Sequence, residues 1–339
     1  MNRQKRNFLK LAGFLSLTTA LPRWSWAQTP VLTGSTMGTS YRIHIRNRPE
    51  ALYLRKLKRQ IENLFETTES LMSLYRRDSE LSRINRSENT DWQPVSNHTR
   101  RVLKTALSVR IKSDGAYNPF TGLMVKHWGF GSGGLSDKGV NSPALKNLVK
   151  ATNDAKLDLG IDALRKSQSG TQLDLNGIAK GYTVDRITTL LESQGVDHFL
   201  IEIGGEIFVR GDGPDGDGWR IGIVGPNNNI VTVLQLSNQA VATSGDHIHY
   251  YMLNNRRYSH LIDPRTGTPI RHDLALVSVL ASNVMQADAW STALMIMGPE
   301  KGQQYAMENS MAALFLTRHK DGLDVMTTPA YQNHLVEYI

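Results

Sequence analysis

Residues 172–186 read Gln172-Leu-Asp-Leu-Asn-Gly-Ile-Ala-Lys-Gly-Tyr-Thr-Val-Asp-Arg186, and this stretch decides the fold of the chain. A short β-type run ends at Asp174 and passes through Asn176, the expected N-cap, into a helix. Gly177 and Gly181 lie one turn apart and leave the backbone open to a close approach. The helix has one apolar face, formed by Ile178, Val184, Ile187, Leu190 and Leu191. The pattern predicts either a place that holds an anion or a metal ion, or a capped helix whose glycines let it pack tightly on a sheet.

The N-terminal residues 1–27 carry the three regions of a secretory signal peptide. A basic start is followed by an apolar run, Leu11–Leu21, and by a polar segment with cleavage expected after Ala27. Lys5-Arg6 resembles the twin-arginine motif with Lys in the first place, so twin-arginine and general export both remain open. A retained membrane anchor is the alternative, but the apolar run is shorter than the ~20 residues of a bilayer span. We therefore expect a soluble periplasmic protein whose functional domain is residues 28–339.

The formal net charge of +8 mostly describes this leader. Residues 1–27 contain five basic side chains and no acid, so the charge falls to +3 over residues 28–339. This balance predicts no nucleic-acid partner, although a mildly positive surface suits an anionic ligand. The chain has no cysteine. That excludes thiol catalysis, Cys-ligated zinc and a lipid anchor on an N-terminal Cys.

Residues 28–339 predict one compact α+β unit. Val31–Ile45 reads as a hairpin, residues 49–74 as an amphipathic helix, and a second helix is centred on Val102–Val109. The Gly/Ser/Asp-rich span 129–142 is the best loop candidate, and its glycines lack the flanking strand and helix of a dinucleotide-binding fold. Further strands are predicted at Phe199–Val209, Trp219–Val224, Ile230–Leu236, Ala240–Thr243, Arg257–Ile262 and Leu274–Ala281. Strand runs with helices grouped between them indicate a mostly antiparallel sheet with packed helices.

A cluster of oxygen groups is predicted near the C-terminus, where residues 283–297 read as a helix. Asp288, Ser291 and Thr292 are spaced i, i+3 and i+4, so they share one face. A carboxylate with hydroxyls suits a hard cation such as Mg²⁺, which keeps positions for water and phosphate oxygens. The alternative is an ordinary helix whose Asp complements the N-terminal dipole and whose hydroxyls bond to the preceding turn.

Two loops follow strands and would close over a ligand. One is Tyr258–Pro269 and the other is Ala242–Asp246. His247 and His249 alternate on a strand-like run, but no third metal ligand accompanies them, so we interpret them as ordinary strand histidines.

Eight sequence blocks, in order, resemble those of the FAD:protein FMN transferase family, also called the thiamine-biosynthesis lipoprotein or flavin-trafficking protein family. Together they span most of residues 28–339. The blocks are Gly34–Thr39, Met72–Asn85, Gly115–Pro119, Asp174–Gly181, Ile203–Glu206, Ala242–Gly245, Ser259–Pro264 and Ala287–Thr292.

The resemblance implies an α+β fold and transfer of the FMN moiety of FAD onto a Thr or Ser hydroxyl of a partner flavoprotein, with release of AMP. It places a Mg²⁺ ion on the main-chain oxygen of Gly177 and the side chains of Asp288 and Thr292, with Ser291 standing where many members carry a further Asp. Asn118 likewise stands where Asp is common. The residues that the resemblance places in contact with FAD are Met37, Tyr75, Ala116, Tyr117, Asn118, Asp174, Lys180 and Ile262.

The expected mechanism is positioning and charge stabilisation at the FAD pyrophosphate, with the metal beside the departing AMP. His260 is the expected base for the acceptor hydroxyl, because imidazole titrates near neutral pH and the family pattern puts this loop beside the metal. Asp246 and Asp263 are the alternative bases. Tyr75 and Tyr117 would stack on or edge the flavin or adenine ring, or serve as packing. Two other functions remain open, an FAD pyrophosphatase that makes FMN and AMP, and a periplasmic FAD carrier without chemistry.

Overall fold

The computed structural model describes residues 31–46, 50–130, 143–246, 249–253, 256–320 and 322–338. Its helices are α1 (Ala51–Met72), α2 (Glu80–Arg86), α3 (Asn97–Lys112), α4 (Gly122–His127), α5 (Pro143–Asp154), α6 (Ala179–Ser193), α7 (Val284–Met297), α8 (Pro299–Glu308) and α9 (Pro329–Gln332). Its strands are β1 (Val31–Thr36), β2 (Thr39–Ile45), β3 (Gln93–Pro94), β4 (Leu157–Leu159), β5 (Ala163–Lys166), β6 (Phe199–Ile203), β7 (Glu206–Arg210), β8 (Trp219–Val224), β9 (Ile230–Leu236), β10 (Gln239–Gly245), β11 (Tyr250–Leu253), β12 (Arg256–Ser259), β13 (Ile262–Asp263), β14 (Thr268–Pro269), β15 (Leu274–Ala281), β16 (Ala312–His319), β17 (Gly322–Thr327) and β18 (Leu335–Tyr338).

An eight-stranded sheet organises the molecule. Its order is β1-β2-β6-β7-β10-β15-β16-β17, and its neighbouring strands are antiparallel. Three-stranded sheets form from β18-β9-β8 and from β3-β5-β4, and β11-β12 and β13-β14 are hairpins. The predicted α+β class with a mostly antiparallel sheet is confirmed.

Alternation along the strands separates two layers of core. On β6, Phe199, Ile201 and Ile203 pack with apolar side chains of α1, α6 and α7. Leu200 lies on the opposite face and packs with Trp219 of β8, in a core that includes β9 and α9. The period of two puts one face of the sheet under helices and the other under the small sheet.

The end of β10 opens the main sheet beside α7. Strand β7 pairs with residues 239–241 of β10, whereas β15 pairs with residues 240–245. The last residues of β10 therefore extend beyond β7, and α7 packs against this strand. Polar side chains from β10, β7, α6 and α7 converge at this point.

Most of the predicted elements are confirmed, including the first hairpin, α1, α3 and the C-terminal helix α7, whose N-cap is Asn283. The single strand predicted for Phe199–Val209 is wrong. Gly204 and Gly205 have φ values of 58° and 98°, a left-handed conformation that reverses the chain, so β6 and β7 form a hairpin. The strand predicted for Arg257–Ile262 is also interrupted, because β12 ends at Ser259 and β13 begins at Ile262.

The start of the central helix differs from the prediction. The run before Asp174 is not a strand, and α6 begins at Ala179 after Ile178, which makes no side-chain cap. Asn176 is not the N-cap, because α6 starts only at Ala179 and Asn176 lies in the turn before it, where its backbone N–H donates to the side chain of Asp174 at 2.8 Å. The N–H groups of Ile178 and Ala179 instead donate to the carbonyl of Leu175.

Part of the sequence prediction concerns segments outside the described residues. These are the leader 1–27, most of the 129–142 loop, and His247. Within the described residues, no helix combines the length and apolarity needed to cross a bilayer.

Candidate active site

Helix α6, together with the turn that precedes it, contacts α7 at three points that are spaced four residues apart along each segment. We call these contacts the helix ladder, and its pairs are Gly177 with Thr292, Gly181 with Asp288, and Asp185 with Val284. Residue numbers rise along one segment as they fall along the other, so the helices run antiparallel. A spacing of four keeps Val284, Asp288 and Thr292 on one face of α7, and Gly181 and Asp185 on one face of α6.

The middle contact requires glycine. A Cβ atom on Gly181 would lie 2.5 Å from the carbonyl oxygen of Val284 and 2.9 Å from Cβ of Asp288. Without that atom, the Gly181 N–H reaches Oδ2 of Asp288 at 3.0 Å. The close approach of the two backbones therefore fixes the orientation of a buried carboxylate.

Hydroxyl groups cluster at the Gly177–Thr292 end of the helix ladder. The Thr292 and Ser244 hydroxyls are 3.1 Å apart, and Ser291 Oγ lies 3.3 Å from Ser244 Oγ. Ser291 also donates to the main-chain oxygen of Asp288 at 2.9 Å. A Cβ on Gly177 would be 3.1 Å from Thr292 Oγ1, so the Gly177 turn lies against the same hydroxyl. The predicted set Gly177, Asp288, Ser291 and Thr292 is thus brought together in space.

A buried ion pair adjoins this cluster. Lys180 Nζ donates to Oε1 of Glu206, which is 2% exposed. Burial lowers the pKa of Lys180, but Glu206 and Asp288 outweigh this effect and the pKa is raised. Burial raises the pKa values of Glu206 and Asp288, and Lys180 opposes both shifts. Two buried carboxyl groups thus lie near one lysine, and a bound cation would favour the ionised form of both.

Several buried polar side-chain atoms lack a hydrogen-bond partner among the described residues. The Asn118 Oδ1 accepts the N–H of Phe120 at 3.0 Å, which assigns the amide orientation. Its Nδ2, like the Tyr117 hydroxyl and Glu206 Oε2, has no hydrogen-bond partner among the described residues. Burial, with Asp288 and Asp174, raises the pKa of Tyr117 well above its usual value, so this hydroxyl remains a donor. Buried polar groups of this kind are normally satisfied, and a polar ligand would do so.

Asp174 ties two of the predicted FAD segments together. Its backbone N–H donates to the carbonyl of Pro119 at 2.8 Å, next to the Ala116–Asn118 loop, while its carboxylate accepts the Asn176 N–H. Burial raises the pKa of Asp174, although these hydrogen bonds oppose the shift. These hydrogen bonds therefore hold the turn before α6 next to the 116–118 loop.

Met37 reaches this region through α6. The Thr183 hydroxyl lies 3.5 Å from Met37 Sδ, and the Met37 N–H donates to Glu69 Oε1 at 2.9 Å. The backbone of Met37 has a φ of 49°, a conformation unusual for a residue with a side chain. Glu69 also accepts the Thr36 hydroxyl at 3.2 Å, so α1 holds this turn in place.

Three of the residues predicted to contact FAD lie in surroundings that differ from those of the polar cluster. Tyr75 is 69% exposed, and the charge of Asp174 contributes, after burial, to raising the pKa of its phenol. Ala116 is fully buried. Ile262 is buried in a separate apolar group with Met124 and Trp128. The Tyr75 side chain is therefore open to solvent, whereas Ile262 belongs to the hydrophobic packing.

His260 has a defined tautomer. Its backbone N–H and its Nδ1 both approach the carbonyl oxygen of His249, at 3.1 and 2.9 Å. A carbonyl only accepts, so Nδ1 carries the proton and Nε2 the lone pair. Burial, then His249 and Lys180 among other charges, lowers the pKa of His260 to about 4. The ring is neutral at physiological pH and lies within electrostatic range of Lys180.

The two alternative bases are engaged in ion pairs. Asp246 is held by Arg318 at 2.9 and 2.5 Å and by Arg257 at 3.4 Å. Asp263 accepts two bonds from the Arg265 side chain at 2.8 and 2.9 Å. Arginine side chains therefore occupy both carboxylates, and we favour His260 over them as the group that faces the acceptor hydroxyl.

The donor set fits a hard cation of low protein coordination. The described residues contain no group of three or more His, Cys, Asp or Glu side chains suited to a metal. The cluster offers one carboxylate, hydroxyls and a main-chain oxygen, with the buried Glu206 carboxyl group nearby. Mg²⁺ commonly binds through one or two carboxylates and completes its shell with water and substrate phosphates.

The sequence model of the ApbE family matches residues 37–315. This chain belongs to the ApbE family. It is 35% identical over 307 residues to the FAD:protein FMN transferase of Vibrio cholerae serotype O1, covering 90% of this chain and 92% of the relative. It is 32% identical over 319 residues to the protein of the same name from Escherichia coli strain K12, covering 91% and 90%.

Solved structures of ApbE proteins agree with the fold. The flavin transferase ApbE from Vibrio cholerae superposes with a TM-score of 0.82 at 34% identity, covering 91% of this chain and 99% of that one. The apo form of the Pseudomonas stutzeri flavinyl transferase ApbE gives 0.83 at 32% identity, covering 92% and 98%. The resemblance read from the eight sequence blocks is confirmed.

Three residues of this ApbE-family site received no role from sequence reasoning. Glu206 and Ser244 lie within blocks that carried the resemblance, but they come from strands distant in sequence from Asp288. Asp185 is the second-last residue of the opening stretch and accepts N–H groups from α7. Membership of those blocks was the sequence signal that could have identified Glu206 and Ser244. For Asp185 the signal was its four-residue spacing from Gly177 and Gly181.

We expect Gly181→Ala to destabilise the fold by about 1–3 kcal/mol, because the new methyl group meets backbone that cannot move independently. Gly170→Ala is the matched control, since a Cβ there has nothing within 4 Å and we expect a change within about 0.5 kcal/mol. Urea denaturation of both variants measures the difference. Equal stability of the two variants would contradict the close approach of α6 and α7.

Proposed function

We propose that this chain transfers the FMN moiety of FAD to a Thr or Ser hydroxyl of an acceptor flavoprotein, forming a phosphoester and releasing AMP, with Mg²⁺ as cofactor. The supporting observation lies at the Gly177–Thr292 end of the helix ladder. Asp288 and Thr292 there meet the Gly177 turn, beside the buried donors of Tyr117 and Asn118, which lack partners among the described residues. The relatives named FAD:protein FMN transferase support the same activity.

The chain's own residues would bind and orient the FAD pyrophosphate. Lys180 supplies a positive charge, and Tyr117 and Asn118 supply neutral donors in a site largely removed from water. Donors that are already fixed in place stabilise developing charge without reorganising during the reaction. Met37 and the exposed ring of Tyr75 would contact the aromatic parts of FAD.

Asp288, Thr292 and the main-chain oxygen of Gly177 would hold the Mg²⁺ ion. When bound, the ion supplies positive charge that stabilises the phosphate oxygens of the departing AMP. Ser291 donates its proton to the main chain of Asp288, so we assign it to supporting Ser244 and Thr292.

His260 would accept the proton of the acceptor hydroxyl. Its Nδ1–H is held by the His249 carbonyl, which leaves Nε2 as the accepting atom. Neutral imidazole is available over the whole physiological range, because the pKa lies near 4. A low pKa reduces basicity, so we assign to His260 the orientation of the hydroxyl as well as the transfer of its proton.

The setting that we propose is the periplasm, reached through the leader 1–27 and its cleavage after about Ala27. An acceptor would then be an exported flavoprotein domain. Neither a lipid anchor nor a nucleic-acid partner belongs to this proposal.

The test is to incubate residues 28–339 with FAD and Mg²⁺, with and without a periplasmic flavoprotein domain that carries a candidate acceptor Thr. AMP is measured together with the mass of the acceptor. A mass increase equal to phosphoester-linked FMN, lost in EDTA, is the expected result. AMP without a mass increase would favour FAD hydrolysis, and tight FAD binding without any product would favour a carrier.

Asp288→Asn is expected to abolish Mg²⁺-dependent transfer while the protein stays folded. The amide oxygen can still accept the Gly181 N–H, but the charge that would hold the cation is lost. The same AMP assay, with the melting temperature as a check on folding, measures this. Full turnover of the variant in Mg²⁺ would remove Asp288 from the metal site.

His260→Gln should lower the transfer rate by about 10²- to 10⁴-fold and leave the affinity for FAD nearly unchanged. The ratio of the unmutated rate to the Gln-variant rate should stay level as the pH falls through 6.5 and decline only towards pH 4, because His260 stays neutral over that range. The ratio removes the effect of Asp185, whose pKa lies at about 6 and which both proteins retain.

The contribution of His260 to folded stability also falls in this window, since its side chain takes up a proton below about 6.5 in the unfolded chain and only near 4 in the folded chain. Rates are therefore normalised to the folded fraction by circular dichroism. A ratio of normalised rates that halves near pH 6.5, and a ratio of one at every pH, would each contradict the assignment of His260.

A further inference from the structure

Asp185 joins α6 to the first turn of α7. Its Oδ1 accepts the N–H of Val284 at 2.8 Å, and its Oδ2 accepts the N–H of Met285 at 3.1 Å. Burial raises the pKa of Asp185 to about 6, although both N–H groups oppose the shift. At pH 8 the side chain is ionised, and both oxygens accept.

The same helix has a second cap that comes from its own chain. Asn283 Oδ1 accepts the N–H of Gln286 at 3.0 Å. Both side chains satisfy N–H groups that the first turn of a helix leaves unpaired. Of these two caps, Asp185 alone comes from another helix, so it is the cap that couples the position of α7 to that of α6.

The coupling extends to the cluster of oxygen groups. Val284 is held on two sides, with its N–H on Asp185 and its carbonyl against Gly181. One turn further along α7 stands Asp288, and two turns further stands Thr292. A shift or rotation of α7 would move both residues away from the Gly177 turn.

We propose that Asp185 is a positioning residue for the cation site, setting the register of α7 against α6 so that Asp288 and Thr292 meet the Gly177 turn. This inference rests on the proposed function, because it concerns the same cation. Asp185 hydrogen-bonds to backbone N–H groups of α7, and we assign its effect on Asp288 and Thr292 to this backbone.

The experiment compares the unmutated protein, Asp185→Asn and the matched control Asn283→Ala at pH 8. The melting temperature is measured without ligands, and FAD affinity is measured by flavin fluorescence in EDTA. Binding of Mn²⁺ to the FAD-loaded protein is followed by the EPR signal of the free ion. Asp185→Ser, which keeps one acceptor oxygen, is the second variant if Asp185→Asn does not fold.

Both variants should lower the melting temperature, since each removes a helix cap. Only the Asp185 variant should weaken Mn²⁺ binding, by about tenfold, with FAD affinity unchanged. Equal Mn²⁺ affinity in Asp185→Asn and Asn283→Ala would overturn the positioning role and leave the proposed function intact. Absence of Mn²⁺ binding by the unmutated protein would overturn the proposed metal site, and the inference with it.

Discussion

The contact between Gly181 and the first two turns of α7 is the constraint on which the rest of the structure depends. It brings two backbones so close that a single methyl group would collide with the Val284 carbonyl. Because the helices approach to this distance, one N–H of α6 reaches a carboxylate of α7, and the turn before α6 lies against Thr292. The sheet contributes by holding both helices on one face through its apolar residues.

Burial of charge makes this arrangement suited to ligands and costly for the empty protein. Glu206 and Asp288 share Lys180, and their pKa values rise because both lie away from water. Low-dielectric surroundings strengthen the attraction of such groups for a cation and for a ligand that brings its own hydrogen bonds. The buried donors of Tyr117 and Asn118 are consistent with the same interpretation. Asp185 then links this polar interior to the packing of the two helices.

Local patterns predicted much of the fold and the outline of the site. The i, i+3, i+4 spacing placed Asp288, Ser291 and Thr292 on one face, and alternation identified most strands. The N-cap assignment to Asn176 failed because the chain makes a turn at this point, with the Asn176 N–H on the Asp174 side chain, and the helix starts only at Ala179. Glu206 and Ser244 reach the site by strand pairing over long sequence distances, and helical periodicity carries no information about such contacts.

The most direct test is a crystal structure of residues 28–339 with FAD and Mn²⁺, with anomalous scattering recorded at the manganese edge. We predict an anomalous peak bounded by the Gly177 main-chain oxygen, Asp288 and Thr292, with FAD phosphate oxygens completing its coordination. A peak at any other place, or FAD bound with its pyrophosphate away from the helix ladder, would contradict the view that the α6–α7 contact builds the active site.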